Sequence, residues 1–123
     1  MPLDRFFEER LFKPLGMVDT GFHVPEAKWD RLAALSTPNQ DGTMQRSTAP
    51  AQESYKKPPT LLLGGAGLVS TTMDYARLCQ MLLNDGELNG VRILGRKTVE
   101  PLRADHLGDL PRKGLAPGLG FGL

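Results

Sequence analysis

Apolar residues open the chain at helical spacing. Leu3, Phe6, Phe7 and Leu11 fall three, four and eight residues from the first of them, while Arg5, Glu8, Glu9 and Lys13 fall mostly off that line. The pattern predicts an amphipathic helix over residues 2–13. Pro2 suits its first turn, where a missing N–H costs nothing, and Asp4 complements the positive end of the helix dipole. Pro14 is expected to stop it, with Leu15 and Gly16 beginning a turn. A helix this short cannot hold its stripe without a packing partner.

The strongest pattern lies further on, in "LLLGGAGLVSTTMDYARLCQMLLNDG". Thr71 followed three residues later by Asp74 reads as a capping box, each side chain bonding the other's backbone N–H. Tyr75, Leu78, Cys79 and Leu82 then repeat at helical intervals, and Asn84, Asp85 and Gly86 end the helix, with Gly86 as its left-handed cap. In "ELNGVRIL", Asn89–Gly90 between Leu88 and Val91 predicts a tight hairpin. "GRKTVEPLRAD" reads as a third helix from about residue 95, with Pro101 an awkward interior residue. "GLAPGLGFGL" has the glycine spacing of a strand packed closely by another backbone.

The intervening segments are less regular. "MVDTGFHV" reads as extended or looped. "WDRLAALS" is a short strand or a helical turn, and the strand is favoured. Residues 36–60 are rich in Ser, Thr, Pro, Gln and Lys and poor in large apolar groups. Such a stretch buries too little surface to offset its ordering entropy and is expected to be a long polar surface loop, of the functional or mobile kind. No repeat of solenoid period is present. The alternation of helices with short strands points to a helix-rich α+β chain in one segment, residues 1–123.

Composition narrows the function classes. Hydrophobic residues at 40% and charged residues at 24% are the balance of a globular protein. Fifteen basic and fourteen acidic residues leave a formal charge of +1, with no electrostatic footprint for nucleic acid. No apolar run reaches the length of a membrane span, and the charged start "MPLDRFFEERLF" is unlike an export signal. The single cysteine, Cys79, excludes an internal disulfide and a cysteine-cluster metal site, and it reads as a small buried hydrophobe.

Candidate chemistry is thin. Ser54-x-x-Lys57 has the spacing at which a lysine activates a serine, but this needs both on one face of a helix, and Pro58 and Pro59 follow at once. Lys97-Thr98 is followed by Val99 rather than by the glycine that keeps a substrate-binding strand edge clear, so both read as first-turn helix residues. "GGAGLVS" lacks the Gly-Lys-Ser/Thr ending of a phosphate loop. His23 and His106 lie outside any metal-ligand spacing, and Glu8, Glu9, Asp74 and Glu100 sit where helix charges ordinarily sit. No catalytic residue, metal ligand or cofactor is assigned from these patterns.

Two blocks nevertheless carry a resemblance. "FFEERLFKPLGMVDTGF", residues 6–22, resembles the serine β-lactamase-like family, which includes class C β-lactamases, penicillin-binding D-alanyl-D-alanine peptidases and β-lactamase-like carboxylesterases. "GGAGLVSTTMDYARLCQMLLNDGELNGVRIL", residues 64–94, is similar to that family's later helix and hairpin, and "GLGFGL" to its following strand. The resemblance spans nearly everything but the 36–60 loop.

It implies a fragment of the β-lactamase/transpeptidase fold, mostly its helical part plus short strands. In the family, Ser-x-x-Lys and Tyr-x-Asn precede the first block, and Lys-Thr-Gly or His-x-Gly follows the last. The chain is therefore expected to be an internal segment, with Met1 an internal methionine or an introduced start, of a parent that cleaves esters or amides through an acyl-serine. The segment alone is expected to be catalytically silent. The resemblance places Gly65, Ala66 and Gly67 in the acyl-pocket wall, binding a small acyl substrate. Class C enzymes often carry an aromatic ring at the place of Ala66, so its small side chain disfavours β-lactams and leaves room for an ester. Relatives carry an apolar helix former at the place of Pro101, so an early end or a kink is expected there. A non-catalytic binding or scaffold module of the same descent is the alternative. In either case the apolar helix faces are expected to invite self-association.

Overall fold

The computed structural model describes residues 1–46 and 54–104. The first helical rod has three pieces: α1 (Leu3–Phe7), a π-helical turn (Glu8–Phe12) and α2 (Lys13–Leu15). Pro14 does not stop the rod but lies inside α2. It has no N–H to give to the Arg10 carbonyl, and the ladder is widened at that point, with the Lys13 N–H reaching back to the Glu8 carbonyl. Gly16, at φ 68, ends the rod in the left-handed conformation, and the Met17 N–H closes on the Phe12 carbonyl at 2.8 Å.

The extra residue in the wide turn rotates the face presented by the next one. Phe12 and Leu15 are buried, whereas Phe6, a member of the expected stripe, is 48% exposed. Phe7 stacks on Phe22, with ring centroids 6.1 Å apart and planes within 6°, and so ties the rod to the segment after it.

The next segment corrects two expectations. Glu26–Arg31 is a 3₁₀ helix beginning after Pro25, not a strand, and its Trp29 indole donates to the Val24 carbonyl at 2.9 Å. Residues 36–60 are not unbroken loop. Strands β1 (Ser36–Pro38) and β2 (Met44–Arg46) pair antiparallel, Thr37 opposite Gln45. All six strand residues are exposed. No core holds this ribbon, and its register is set at the turn. There Asp41 Oδ1 accepts from the Thr43 N–H at 2.9 Å and the Thr43 hydroxyl at 2.6 Å, and Gly42 takes φ 83. These bonds hold the Asp41 carboxyl below its usual range.

Helix α3 (Thr72–Leu83) carries the core. Its buried positions are Asp74, Met81 and Leu82, with Leu78 packed beside them, and Tyr75 is 54% exposed. The inward face is thus rotated from the Tyr75/Leu78/Cys79/Leu82 line, because a carboxylate occupies its first position. Cys79 is half-buried rather than buried. Asn89 and Gly90, at φ 50 and 79, turn β3 (Glu87–Leu88) into β4 (Val91–Arg92) as the sequence predicts. Helix α4 (Arg96–Arg103) continues two residues past Pro101, so the expected early end is not seen. The Arg103 guanidinium meets Asp85 at 2.6 Å, tying the far end of α4 to the end of α3.

Phe12, Leu15, Met17, Met81, Leu82 and Val99 form one core, to which Phe7, Leu11, Leu78, Leu88, Ile93 and Leu94 add partly buried surface. Among the described elements, all but the β1–β2 ribbon and the 3₁₀ helix contribute to it or cap it. Among the described residues no helix is long and apolar enough to cross a membrane. The expected strand over 118–123 and His106 lie outside the described residues.

Candidate functional site

The turn after Gly16 is fastened to the start of α3. Gly21 and Val69 exchange backbone hydrogen bonds of 3.0 and 2.9 Å. Beside this bridge, the buried Asp74 carboxylate gathers three donors. Its Oδ2 accepts from the Asp19 N–H at 2.7 Å and the Thr20 hydroxyl at 2.9 Å, and its Oδ1 accepts from Arg77 Nη1 at 3.2 Å. Arg77 Nη1 also donates to the Gly16 carbonyl, the last of the rod.

Half of the expected capping box is therefore present. Thr71 Oγ1 accepts from the Asp74 N–H at 3.2 Å, but the Asp74 side chain reaches across the chain to residues 19 and 20 instead of back to Thr71. The physical reason is donor supply. The Asp19–Thr20 turn offers an N–H and a hydroxyl side by side, and a buried carboxylate needs several donors.

These bonds fix the direction of the protons. The Thr20 hydroxyl has one proton, and it goes to Asp74. Ser70 Oγ, 2.8 Å from Thr20 Oγ1, is then the donor of that contact. Ser70, Thr20 and Asp74 form a one-way chain ending on a carboxylate. Ser70 Oγ also lies 3.4 Å from the Thr71 carbonyl, and neither of these contacts is a base of the strength that activates a serine.

On the outer side of the turn, Asp19 binds two cations. Its Oδ2 meets Arg31 Nη2 at 2.8 Å and its Oδ1 meets Lys28 Nζ at 2.5 Å. The Arg31 and Lys28 contacts hold the Asp19 carboxyl down to about 2, and the Asp19 contact pushes the Arg31 guanidinium up. A carboxyl depressed from an unfolded value of 3.8 contributes its stability above that value. That contribution is lost as pH falls through about 2. The melting temperature is therefore expected to drop between about pH 4 and pH 2 in wild type, and Asp19→Asn to flatten that drop. An unchanged acid limb in Asp19→Asn would show that these ion pairs contribute nothing to folding.

An open cleft of about 970 Å³ runs along these groups. Thr20, Phe22 and His23 form one wall, Val69, Ser70 and Thr71 another, and Tyr55 with Leu62 a third. Lys28 and Arg31 also line it. The Tyr55 carbonyl accepts from the Val24 N–H at 2.7 Å, which holds the third wall in place.

The residues singled out from the sequence fall in several places. Gly65, Ala66 and Gly67 are exposed, in a turn closed by the Leu63–Ala66 bridge. They border the cleft but do not line it, since its lining passes from Leu62 to Val69. Gly67 takes φ 93 over the Phe22 ring. Ser54 through Lys57 form a turn, the Lys57 N–H lying 3.4 Å from the Ser54 carbonyl, and no helix runs from Ser54 through Lys57. Lys56 lies over the Trp29 ring, 5.3 Å from its centroid. Lys97 is exposed on α4 and pairs loosely with Glu100 at 3.6 Å, as first-turn residues do. His23 is exposed.

The sequence pattern does not announce the Asp74 clamp or the Asp19 cation pair. Its one signal is an acid three residues after a cap threonine, which local rules already explain. Two of the three donors that acid serves, the Asp19 N–H and the Thr20 hydroxyl, lie about fifty residues earlier, beyond the reach of any local pattern.

A family model described as Beta-lactamase matches residues 1–123. An uncharacterised protein of Mycobacterium tuberculosis is 35% identical over 128 residues, covering 99% of the chain and 31% of the relative. An Escherichia coli protein provisionally named a D-alanyl-D-alanine carboxypeptidase is 32% identical over 111 residues, covering 80% of the chain and 26% of the relative. Among solved structures, a mutant simvastatin synthase from Aspergillus terreus superposes with a TM-score of 0.73 at 22% identity, over 87% of the chain and 25% of that structure. An octameric penicillin-binding protein homologue from Pyrococcus abyssi superposes with a TM-score of 0.59 at 16% identity, over 83% of the chain and 20% of that structure. The chain thus spans about a third or less of the length of these proteins.

Proposed function

Because the chain belongs to the beta-lactamase family, we propose that it is a segment of a serine hydrolase that cleaves an ester or amide through an acyl-serine, its catalytic motifs lying outside residues 1–123. The family brings a serine β-lactamase/transpeptidase fold and a hydrolase parent. One observation carries the proposal further. The family match runs the full length of the chain, yet its Ser-x-x-Lys pattern at Ser54 lies in a turn. Lysine activation needs both side chains on one helical face, and this turn does not give it.

On this reading the chain contributes scaffold and one wall of the acyl site. The core of α2, α3 and the β3–β4 hairpin holds the Asp74 clamp, and the clamp fixes the strand-like segment at Val69 against Gly21. Gly65, Ala66 and Gly67 lead into that segment and stand in the exposed wall a small acyl substrate would meet. The methyl side chain of Ala66, in place of an aromatic ring, favours an ester over a β-lactam. Leu61, Leu63 and Leu68, each at least 41% exposed, flank this wall and present the apolar surface on which the remainder of such a domain would pack.

The test is direct. Purified 1–123 is expected to turn over neither nitrocefin nor p-nitrophenyl acetate above a boiled control. Turnover abolished by Ser54→Ala would overturn the proposal, because it would place the attacking serine inside the chain.

A further inference from the structure

Three Asx–Gly pairs occur in the chain: Asp41–Gly42, Asp85–Gly86 and Asn89–Gly90. In such a pair the glycine nitrogen can close a ring on the preceding side-chain carbonyl carbon, and no Cβ on the glycine hinders its approach.

The fold disables two of the three. The Gly42 N–H donates to the Asn39 carbonyl at 3.1 Å, and the Asp41 carboxylate holds the Thr43 N–H and hydroxyl. Gly86 is buried, its N–H donates to the Met81 carbonyl at 2.9 Å, and the Asp85 carboxylate meets Arg103 at 2.6 Å. A carboxylate is also a poor electrophile, because attack would add a second negative charge to it.

Asn89–Gly90 differs on each count. Both residues are exposed. Among the described residues, neither the Gly90 N–H nor the Asn89 side chain has a hydrogen-bond partner. The electrophile is a neutral amide. The pair sits at the tip of a hairpin whose strands, Glu87–Leu88 and Val91–Arg92, are too short to make that tip rigid. The base is held instead, where the Gly86 carbonyl accepts from the Ile93 and Leu94 N–H groups. The tip is therefore free to flex into the ring-closing geometry while the base stays shut.

We propose that Asn89 is a site of spontaneous covalent modification, at which the Gly90 nitrogen attacks the Asn89 side-chain amide and the product unlatches the hairpin. Hydroxide takes the Gly90 N–H proton, and the nitrogen bonds to Asn89 Cγ. The Cγ–Nδ2 bond breaks, and ammonia leaves with a proton from water. Water then opens the cyclic imide at either carbonyl. One opening leaves aspartate at position 89. The other leaves an isoaspartyl link, in which the chain runs through the side-chain carbon. Both exchange an amide NH2 for OH, and neither needs an oxidant or a reductant.

The isoaspartyl link adds a methylene to the turn. Leu88 and Val91 face each other because Asn89 and Gly90 alone fill that turn, at φ 50 and 79. Leu88 packs against the core from this hairpin, so the modification loosens a core contact as well as a turn. None of this depends on the parent being a hydrolase.

Peptide mapping by mass spectrometry tests it, on the full chain aged in mildly alkaline and in mildly acidic buffer. In the alkaline buffer Asn89 is expected to convert at least about tenfold faster than Asn39 or Asn84, which precede Gln40 and Asp85. The acidic buffer, where hydroxide is scarce, should suppress the conversion. So should Asn89→Gln, whose longer side chain must close a larger ring. The buffer comparison uses wild type alone and stands even if that variant disturbs the turn. Asp41 and Asp85 should stay unmodified. The separated isoaspartyl form should melt about 4 °C or more below Asn89→Asp, which carries the new charge without the added methylene. Asn89 converting no faster than Asn39 and Asn84 overturns the proposal. So does isoaspartate that builds up as fast at position 41 or 85, or an isoaspartyl form as stable as Asn89→Asp.

Discussion

Gly86→Ala is expected to lower stability by about 3 kcal/mol or more, a fall of roughly 15 °C in melting temperature for a chain of this size. Two effects add at this position. Gly86 holds φ 93, where a Cβ is disfavoured by about 1–2 kcal/mol. A Cβ built there would also lie 2.8 Å from the Leu94 carbonyl carbon and closer still to its oxygen, an overlap with backbone that no side-chain rotation relieves.

The closeness has a cause. The Gly86 N–H caps α3 by bonding the Met81 carbonyl at 2.9 Å, while its own carbonyl accepts from the Ile93 and Leu94 N–H groups at 2.8 and 3.1 Å. One residue thus ends the helix and closes the base of the hairpin, and the two chain segments must touch there. Gly42→Ala separates the effects. Gly42 has a similar φ of 83 but nothing within 4 Å of a built Cβ, so it should cost only about 1 kcal/mol. Equal melting temperatures for the two variants would show that the Leu94 contact imposes nothing.

Asp74→Ala is expected to cost about 3–5 kcal/mol, enough to leave the chain substantially unfolded at 37 °C given the small net stability of domains this size. The side chain is 2% exposed and serves the Asp19 N–H, the Thr20 hydroxyl and Arg77 together. Removing it strands donors in a partly buried site, and the cost is their desolvation rather than the loss of one bond. It also frees the turn that carries Gly21 to Val69, so one wall of the cleft should loosen with the fold.

Thr71→Ala is the comparison. It removes an ordinary helix cap worth about 1 kcal/mol and leaves the clamp in place. Denaturant midpoints that match for the two variants would mean that Asp74 acts as a cap and no more.

These two residues also mark how far local reading reaches. Gly86 is legible as a helix cap, and Asn89–Gly90 as a hairpin turn, because their backbone demands are met by a few adjacent residues. That Gly86 and Leu94 are pressed together is not legible, because it depends on the hairpin folding back over the end of α3. Asp74 is legible as a helix-start acid, but its partners at positions 19 and 20 are not. Two stripe positions are misread for the same reason. Phe6 is expected inside and is 48% exposed, while the rod buries Phe12 and Leu15 instead. Tyr75 is expected inside and is exposed because α3 turns a carboxylate, not a ring, toward the core. The ribbon at Ser36–Arg46 escapes the sequence pattern because it buries no apolar residue, so no alternation announces it.

By itself the sequence determined where the main helices and the hairpin lie, through spacing, caps and turn residues, and it determined the family through two blocks whose order is kept along the chain. That Ser54 and Lys57 share no helical face was legible in the sequence, from Pro58 and Pro59 directly after them. Tertiary structure alone decided which face of each helix points inward and where the buried charge finds its donors. The reason is range. Spacing and capping act over three or four residues, whereas a buried carboxylate takes its partners from wherever the folded chain brings a donor within about 3 Å.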